Sequence, residues 1–355
     1  MISTYSFSPI FMNNGLFNMR DIHFRRSFCS LMKSYGTISI TSSCFQHNLD
    51  TCIQISSLEH IGATFLVQQD FVFDDINVFE RCVFRSITSA KESSGILFKK
   101  NANLKISYCV FIDIIAQYGL HGGTALYVTA GSSIELYCNS FSYCKSAHGA
   151  SYGIHNNQYF IGIVKYQFNS ESYVGYKGKQ VHSSFIGGRN VFECYDSNSS
   201  YIESSGHSGL FYFLELPTNC ETIKRCHFAN SVISYLLHMV SPSFTVKNFC
   251  FSNISVVEWI AASKSVVFHE CSFISVTKNP TWSATYQFIY CEFDQTNAYY
   301  SIPSSYATNC LFSVGSPNQY KPSIILQCYG IQPGTDPKSN KAHYFILLIM
   351  MFVVQ

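Results

Sequence analysis

The sequence predicts an all-β fold in which short strands wind into a solenoid of about 10–12 coils. Three observations predict it. A Cys-x-Phe triplet recurs along the chain, and the residues before each triplet alternate between apolar and polar. The composition also favours strands: of 355 residues, 47% are hydrophobic and 16% aromatic, with 31 Phe and 24 Tyr.

The triplet is the most specific feature of the chain. Side chains two residues apart in a strand lie on the same face, so the Cys and the Phe of each triplet share the apolar face. Looser versions occur at Cys44-Phe45, at Cys138 with Phe141, and at Phe249-Cys250-Phe251. The triplets themselves are Cys82/Phe84, Cys109/Phe111, Cys226/Phe228, Cys271/Phe273, Cys291/Phe293 and Cys310/Phe312.

The spacing of the Phe residues gives the length of one coil. Ten Phe residues lie 19 to 36 residues apart, which is typical of a solenoid repeat. Parallel stacking places each position above its equivalent in the next coil at about 4.8 Å, so we expect a column of Cys and a column of Phe inside the solenoid. The ten are Phe84, Phe111, Phe141, Phe168, Phe192, Phe228, Phe251, Phe273, Phe293 and Phe312.

Composition excludes several classes of protein. Charged residues make up 12% of the chain and the net charge is +2. A disordered chain has low hydrophobicity and high net charge, and a protein that binds nucleic acid through bulk charge has a basic excess. Helical bundles carry many Glu, Lys and Arg on their exposed faces. We therefore expect none of these, and no nucleic-acid partner.

The two ends differ from the repeat. Residues 1–30 are predicted to be an N-terminal cap or irregular segment, residues 31–330 the solenoid, residues 331–343 a polar linker and residues 344–355 an apolar tail. No signal peptide is predicted, because Met1–Arg20 lacks a continuous apolar run. Tyr344–Val354 has three open interpretations: the first half of a truncated transmembrane helix, a buried terminal strand or helix, or an anchor-attachment tail. The first would give membrane contact.

The Cys-x-Phe coils, the Asn and Ser residues that follow Phe, and the segment His121-Gly122-Gly123-Thr124-Ala125-Leu126 resemble right-handed parallel β-helix proteins of the pectin-lyase-like superfamily. More narrowly, the chain is similar to Cys- and Phe-rich β-helix surface proteins of trichomonads and to polymorphic outer-membrane proteins of chlamydiae. The resemblance covers residues 30–330 and implies a right-handed parallel β-helix. In the surface members a transmembrane helix follows the β-helix.

The same resemblance requires a search for catalytic residues, because the superfamily contains polysaccharide lyases and glycoside hydrolases. A hydrolase needs two or three carboxylates in one groove. The only candidates are Asp74 and Asp75, with His148 73 residues after Asp75. Three coils separate them, or about 14 Å along the axis, which is too far for one site. We expect a solvated turn at Asp74-Asp75 and no catalytic residues.

The 15 cysteines leave three interpretations open. Most simply, the thiols pack inside as small apolar groups; some could form disulfides, and a metal site is the remaining alternative. No metal or other cofactor is predicted, since the chain lacks C-x-x-C and H-E-x-x-H. Asn198-Ser199-Ser200 and Asn253-Ile254-Ser255 are candidate glycosylation sites, Asn253 having an alternative role in a turn.

These observations lead to an expected function. We expect a non-enzymatic β-helix protein of the surface or adhesion type, which presents loops and a strand face to a glycan or protein partner. We expect it at the cell surface or membrane, with the cytoplasm as the alternative. The rival function is a carbohydrate-active β-helix enzyme or an inactive relative of one. The sequence does not name the ligand.

Overall fold

The computed structural model is a parallel β-solenoid, which confirms the predicted all-β fold class. Within the described residues the only helical segment is a single 3-10 turn, Ser304–Tyr306. The structure describes residues 10–12, 15–27, 31–56, 76–89, 95–99, 103–116, 123–128, 133–137, 139–142, 144–146, 150–155, 161–165, 168–170, 173–174, 184–187, 191–195, 198–200, 203–204, 211–214, 223–239, 244–262, 265–276, 281–282, 285–294 and 304–312.

The strands form two sheets, and every strand pairs in parallel with the equivalent strand of the next coil. The smaller sheet has twelve strands: β2 (Leu16–Arg20), β5 (Thr37–Thr41), β8 (Ile76–Glu80), β11 (Asn103–Ser107), β14 (Ser133–Tyr137), β18 (Ile161–Lys165), β22 (Val191–Tyr195), β26 (Ile223–Lys224), β28 (Phe244–Lys247), β30 (Ser265–His269), β33 (Thr285–Ile289) and β35 (Ala307–Thr308).

The larger sheet has 23 strands, because most coils contribute two or three short strands to it. They are β1 (Ile10–Met12), β3 (His23–Ser27), β4 (Met32–Ser34), β6 (Cys44–Asn48), β7 (Ile53–Ser56), β9 (Val83–Ser89), β10 (Ile96–Lys99), β12 (Val110–Ala116), β13 (Gly123–Val128), β15 (Ser140–Ser142), β16 (Lys145–Ser146), β17 (Ala150–His155), β19 (Phe168–Ser170), β20 (Tyr173–Val174), β21 (Ser184–Gly187), β23 (Asn198–Ser200), β24 (Glu203–Ser204), β25 (Phe211–Leu214), β27 (His227–Met239), β29 (Cys250–Ala262), β31 (Ser272–Val276), β32 (Thr281–Trp282) and β34 (Glu292–Phe293).

The register of the larger sheet places Phe on Phe. Phe45, Phe84, Phe111 and Phe141 are successive partners in β6, β9, β12 and β15. Their rings stack nearly parallel, with centroids 5.0, 4.8 and 4.9 Å apart, and all four are fully buried. Burial of each ring contributes about 1.5–3 kcal/mol, so this column is a major source of stability and fixes the register.

A second Phe column stands in the C-terminal coils. Phe251, Phe273, Phe293 and Phe312 stack with centroids 5.0 Å apart at each step. Phe268 and Phe288 of the smaller sheet pack edge-on against Phe273, at 5.5 and 5.6 Å. The two sheets therefore meet through aromatic contacts that satisfy the edge-to-face preference of the rings.

Two members of the expected Phe series do not lie in this column, and here the prediction was wrong. Backbone register places Asn169 opposite Phe141, Ser199 opposite Asn169, and Phe228 opposite Ser199. Phe168 is instead the partner of Ser140, and Phe192 belongs to the smaller sheet. Spacing alone fixes neither the strand nor the register position that a Phe occupies, so it assigns these two Phe residues to the column incorrectly.

At the start of strand β8, the buried side-chain amide of Asn77 forms hydrogen bonds with backbone groups of the neighbouring strands. Asn77 is fully buried in the interior row of the smaller sheet. Its Oδ1 accepts a hydrogen bond from the N–H of Ile38 at 3.1 Å, and its Nδ2 donates to the carbonyl of Asn103 at 3.3 Å. The pairing of β5 with β8 starts at Ser39, so the amide of Asn77 accepts from a backbone N–H that the ladder does not reach.

The N-terminal segment forms a coil of the solenoid. Residues 10–27 contain β1, β2 and β3, which pair in parallel with β4, β5 and β6. The predicted linker at residues 331–343 and the apolar tail at residues 344–355 lie outside the described residues. No helix in the described ranges is long and apolar enough to cross a membrane.

Candidate functional site

Six of the ten described cysteines lie at one corner of their coils, where the smaller sheet turns into the larger one. In each coil one residue occupies the Phe column, and we call the position two residues before it the slot. Most of the described slot residues are buried, and they follow one another from coil to coil in two runs, one ending at Asn139 and the other beginning at Cys226. They are Ile22, Ser43, Cys82, Cys109, Asn139, Cys226, Phe249, Cys271, Cys291 and Cys310.

At the slot, the backbone N–H of the slot residue does not donate to a carbonyl of the regular β-ladder. The residue before the slot donates to the next coil, as Arg81 N does to Ser107 O at 3.0 Å. The residue after the slot donates to the slot carbonyl of the preceding coil, as Val110 N does to Cys82 O at 2.9 Å. The slot N–H itself donates to a side chain of the next coil: Cys82 N donates to Cys109 Sγ at 3.4 Å.

Thiols in the slot also act as donors. The single S–H of Cys109 lies within hydrogen-bonding distance of two carbonyl oxygens, those of Phe79 and Ser107, at 3.6 and 3.4 Å. The S–H of Cys291 lies equally close to the carbonyls of Phe268 and Ile289, at 3.4 and 3.6 Å. Cys109 and Cys291 therefore link backbone groups at a corner that the sheets leave incompletely paired. They do so as weak donors and weak acceptors, as a thiol can.

Ser43 and Asn139 replace a thiol in the slot and form the same contacts with oxygen. Ser43 Oγ accepts from Ile22 N at 3.2 Å and donates to Thr41 O at 2.8 Å. Asn139 Oδ1 accepts from Cys109 N at 3.0 Å, and its Nδ2 donates to Ile106 O at 2.9 Å. Eight of the ten described slots thus hold a small side chain that can both accept and donate a hydrogen bond, whereas Ile22 and Phe249 fill theirs with apolar groups.

The sequence did not reveal this role. The thiols were expected to pack as small apolar groups, and Cys44-Phe45 and Cys138 with Phe141 were read as loose versions of the triplet. The register places Ser43 and Asn139 in those two slots. The signal that could have found them is a small polar residue two positions before a column Phe.

Several thiols of the solenoid have a raised pKa. Burial raises the pKa of Cys109 and of Cys52 well above the ordinary thiol value. Burial also raises the pKa of Cys291, and hydrogen bonding to Cys291 raises that of the half-buried Cys310. A thiol held neutral is a poor nucleophile and a poor ligand.

All cysteines whose side chains are described are free thiols. The same part of the chain holds no cluster of three or more His, Cys, Asp or Glu side chains suited to a metal ion.

Outside the slot, the corner carries a row of residues in the left-handed backbone conformation. We call this row the first ridge: Asp21, Ser42, Arg81, Tyr108, Arg225, Asn248, Glu270, Tyr290 and Asn309, with φ between 49° and 55°. A second ridge, at the other end of the column Phe segment, consists of Arg26, His47, Ser86, Asp113, Asn230, Asn253 and Ser275. An L-residue pays about 1–2 kcal/mol in this conformation, and glycine would avoid that cost.

Side chains of neighbouring coils touch along the first ridge. Tyr108 packs edge-on against Tyr137 with ring centroids 5.5 Å apart. Asn248 Nδ2 donates to Glu270 Oε2 at 2.8 Å, and Tyr290 packs edge-on against His269 at 5.8 Å. Burial, followed by the neighbouring Tyr137, raises the pKa of Tyr108, so this phenol remains a neutral hydrogen-bonding group at physiological pH.

The second ridge forms a polar ladder instead. Ser86 Oγ donates to Asp113 Oδ2 at 3.1 Å, and Asn253 Nδ2 donates to Asn230 Oδ1 at 3.1 Å. Ser275 donates to Asp294 Oδ2 through its backbone N–H at 2.8 Å. Asn253, a candidate glycosylation site, is exposed in this ladder with φ of 50°.

Of the remaining candidate site residues, only Asn198 lies within the described part of the chain. Asp74, Asp75 and His148 lie outside the described residues. Asn198 begins strand β23, with Phe168 and His227 as backbone partners.

Comparison with known proteins gives no relative. No family model, no curated protein and no solved structure matches this chain.

Proposed function

We propose that this protein is a non-enzymatic β-helix of the surface or adhesion type, and that its first ridge is the edge that binds a glycan or protein partner. The observation that carries the proposal is the strained display of long side chains on that ridge. Arg81, Tyr108, Arg225, Glu270 and Tyr290 all have φ between 53° and 55°.

The left-handed conformation is energetically unfavourable for most of the residues on the first ridge. Several described residues with a left-handed backbone conformation have bulky side chains. Glycine would adopt this conformation without strain, and the chain uses 20 glycines elsewhere. Such outliers persist when the surrounding structure holds them, and they concentrate at functional sites. Asn and Asp tolerate this conformation well, but Arg, Tyr and Glu do not. A ridge that retains them supports a role for the side chains themselves.

The ridge also suits an elongated partner. Its backbone is fixed from coil to coil by hydrogen bonds such as Tyr108 N to Tyr137 O at 3.0 Å and Glu270 N to Ile289 O at 2.9 Å. Aromatic rings, an amide and charged groups repeat at the strand spacing, which is about 4.8 Å. Planar polar and aromatic side chains on a rigid support provide stacking and hydrogen bonds at low entropic cost.

We also propose an evolutionary relationship and a cellular location for this protein. The repeated Cys and Phe coils favour a relationship to the pectin-lyase-like β-helices, and within them to the trichomonad and chlamydial surface proteins. We propose a cell-surface location on that basis. Free thiols are more typical of reducing compartments, which supports the cytoplasm as the alternative. Antibody labelling of intact and permeabilised cells decides between them, and labelling only after permeabilisation would exclude the surface.

Binding to an immobilised glycan panel and to intact cells tests the proposed function. We expect the double variant Arg81→Ala/Tyr108→Ala to bind at least tenfold more weakly than the parent protein. The matched control is Asp113→Ala, which removes an exposed left-handed side chain from the second ridge. Equal loss in both variants would contradict a role for the first ridge.

The same preparations test the enzymatic alternative. Incubation with acidic and neutral polysaccharides, followed by assays for reducing ends and unsaturated products, should show no turnover. Release of many products per protein molecule, abolished by Asp74→Asn/Asp75→Asn, would overturn the non-enzymatic proposal.

A further inference from the structure

The candidate glycosylation site at Asn253 lies on the second ridge, within strand β29. The side chain of Asn253 is exposed, and so is that of Ser255, the hydroxyl residue of the Asn-x-Ser triplet. Ile254 between them is fully buried and belongs to the hydrophobic core. The core therefore holds the triplet at its centre, with the amide and the hydroxyl on the outside.

The amide of Asn253 can carry a sugar without losing its contact with the preceding coil. A primary amide has two N–H groups, and one of those on Asn253 Nδ2 donates to Asn230 Oδ1 at 3.1 Å. An N-linked amide retains one N–H, so this hydrogen bond survives when a sugar replaces the other hydrogen. In the next coil the equivalent ridge position is Ser275, a small exposed residue. The role of Asn253 in the turn and the attachment of a glycan are therefore compatible.

Asn198, the other candidate, occupies a different row of the larger sheet. Its backbone partners are Phe168 and His227, and the row continues from His227 to Cys250 and Ser272. Cys250 is 0% exposed and Ser272 is 6% exposed. A glycan is bulky and solvated, so a row that encloses its residues in this way does not suit one.

We infer that Asn253 is a site of N-linked glycosylation and that Asn198 is not. The sugar donor is a lipid-pyrophosphate-linked oligosaccharide. A bond forms between Asn253 Nδ2 and C1 of the first sugar, while the bond from C1 to the pyrophosphate oxygen breaks. The lipid pyrophosphate leaves with the electron pair, and Nδ2 releases one proton. Because this transfer occurs on chains that enter the secretory pathway, the inference rests on the cell-surface location proposed above.

A glycan at Asn253 gives the two ridges different roles. Asn248 of the first ridge and Asn253 of the second are separated by up to about 16 Å of extended chain. A bulky, solvated glycan shields the polar ladder around Asn230 and Ser275. Its attachment on the second ridge agrees with the first ridge as the edge that binds a partner.

Expression of the full chain behind a cleavable secretory leader in eukaryotic cells tests the site. The secreted protein is treated with an amidase that removes N-linked glycans and converts the glycosylated Asn to Asp. Peptide mass spectrometry should locate this conversion at Asn253 in more than half of the molecules, and at Asn198 in fewer than one in ten. Ser255→Ala should abolish the glycan at Asn253, whereas the matched control Ser255→Thr, which keeps the triplet, should retain it.

The Ser255 variants leave the hydrogen bond from Asn253 to Asn230 in place, so loss of the glycan in Ser255→Ala reports on the triplet. An unmodified Asn253 in the leader-directed chain, whether secreted or held in the lumen of microsomes, would overturn the inference. Equal occupancy at Asn198 and Asn253 would overturn it as well. Since the leader directs the chain into the pathway, either result leaves the surface location to antibody labelling and the first ridge to the binding assays.

Discussion

The backbone N–H of Cys109 donates a hydrogen bond to Oδ1 of Asn139, 3.0 Å away, in a column of positions otherwise rich in thiols. The amide of Asn139 also donates to the carbonyl of Ile106 at 2.9 Å. A polar residue thus takes the contacts that a thiol takes one coil earlier. The recurrence of cysteine in this fold follows from a backbone requirement at the corner as well as from burial.

The Phe column predicts a gradient of stability along its length. Phe111→Ala should cost about 3–5 kcal/mol, because the ring is fully buried between Phe84 and Phe141. Phe312→Ala should cost less than half as much, since Phe312 is 37% exposed. Urea unfolding measures both. Equal costs would mean that Phe312 is as enclosed as Phe111.

The first ridge predicts an inverted response to glycine. Arg81 has φ of 53°, so Arg81→Gly should leave the free energy of unfolding unchanged or raise it by up to about 1 kcal/mol. Arg81→Val should lower it by more than about 1 kcal/mol, because a β-branched residue fits this conformation poorly. Lys105→Gly, in the regular strand β11, is the control and should destabilise by about 0.5–1 kcal/mol. A lower stability for Arg81→Gly than for Arg81→Val would refute the strain argument.

The neutral thiols predict a loss of stability at alkaline pH. Burial raises the pKa of Cys109 and Cys291 in the folded state above the unfolded value of about 8.5. The unfolded chain therefore releases thiol protons first, and stability that is present below pH 8 declines as pH rises beyond about 8.5. Urea unfolding between pH 7 and pH 11 measures the decline, which should be shallower in Cys291→Ser/Cys310→Ser. An identical slope in that double variant would remove the thiols as its cause.

Much of the fold was predictable because the same Cys-x-Phe pattern recurs in many coils. The triplet from Cys82/Phe84 onward gave the coil length and the shared interior face, and the structure places Phe84 on Phe111 accordingly. The chain between Phe141 and Phe228 was misassigned because Asn169 and Ser199 carry no apolar signal. Only the register, set by pairing across coils, identifies them as column positions.

The corner chemistry could not be predicted from the sequence for a different reason. Tyr and Glu rarely adopt the left-handed backbone conformation, so no local sequence pattern predicts it at Tyr108 or Glu270. The need for a hydrogen-bonding group at Cys109 arises from that turn and from the carbonyls of the neighbouring coils. Both follow from tertiary pairing, and a single sequence shows neither.

The most direct test of the account compares Cys109→Ser with Cys109→Val in one urea-unfolding experiment. Serine keeps an acceptor for the N–H of Cys82 and a donor for the corner carbonyls, so its cost should stay below about 1 kcal/mol. Valine leaves those buried groups unpaired and should cost about 1–3 kcal/mol more than serine. The reverse order, with valine the better replacement, would show that the slot is an apolar packing site and would contradict the hydrogen-bonding role of the thiol column.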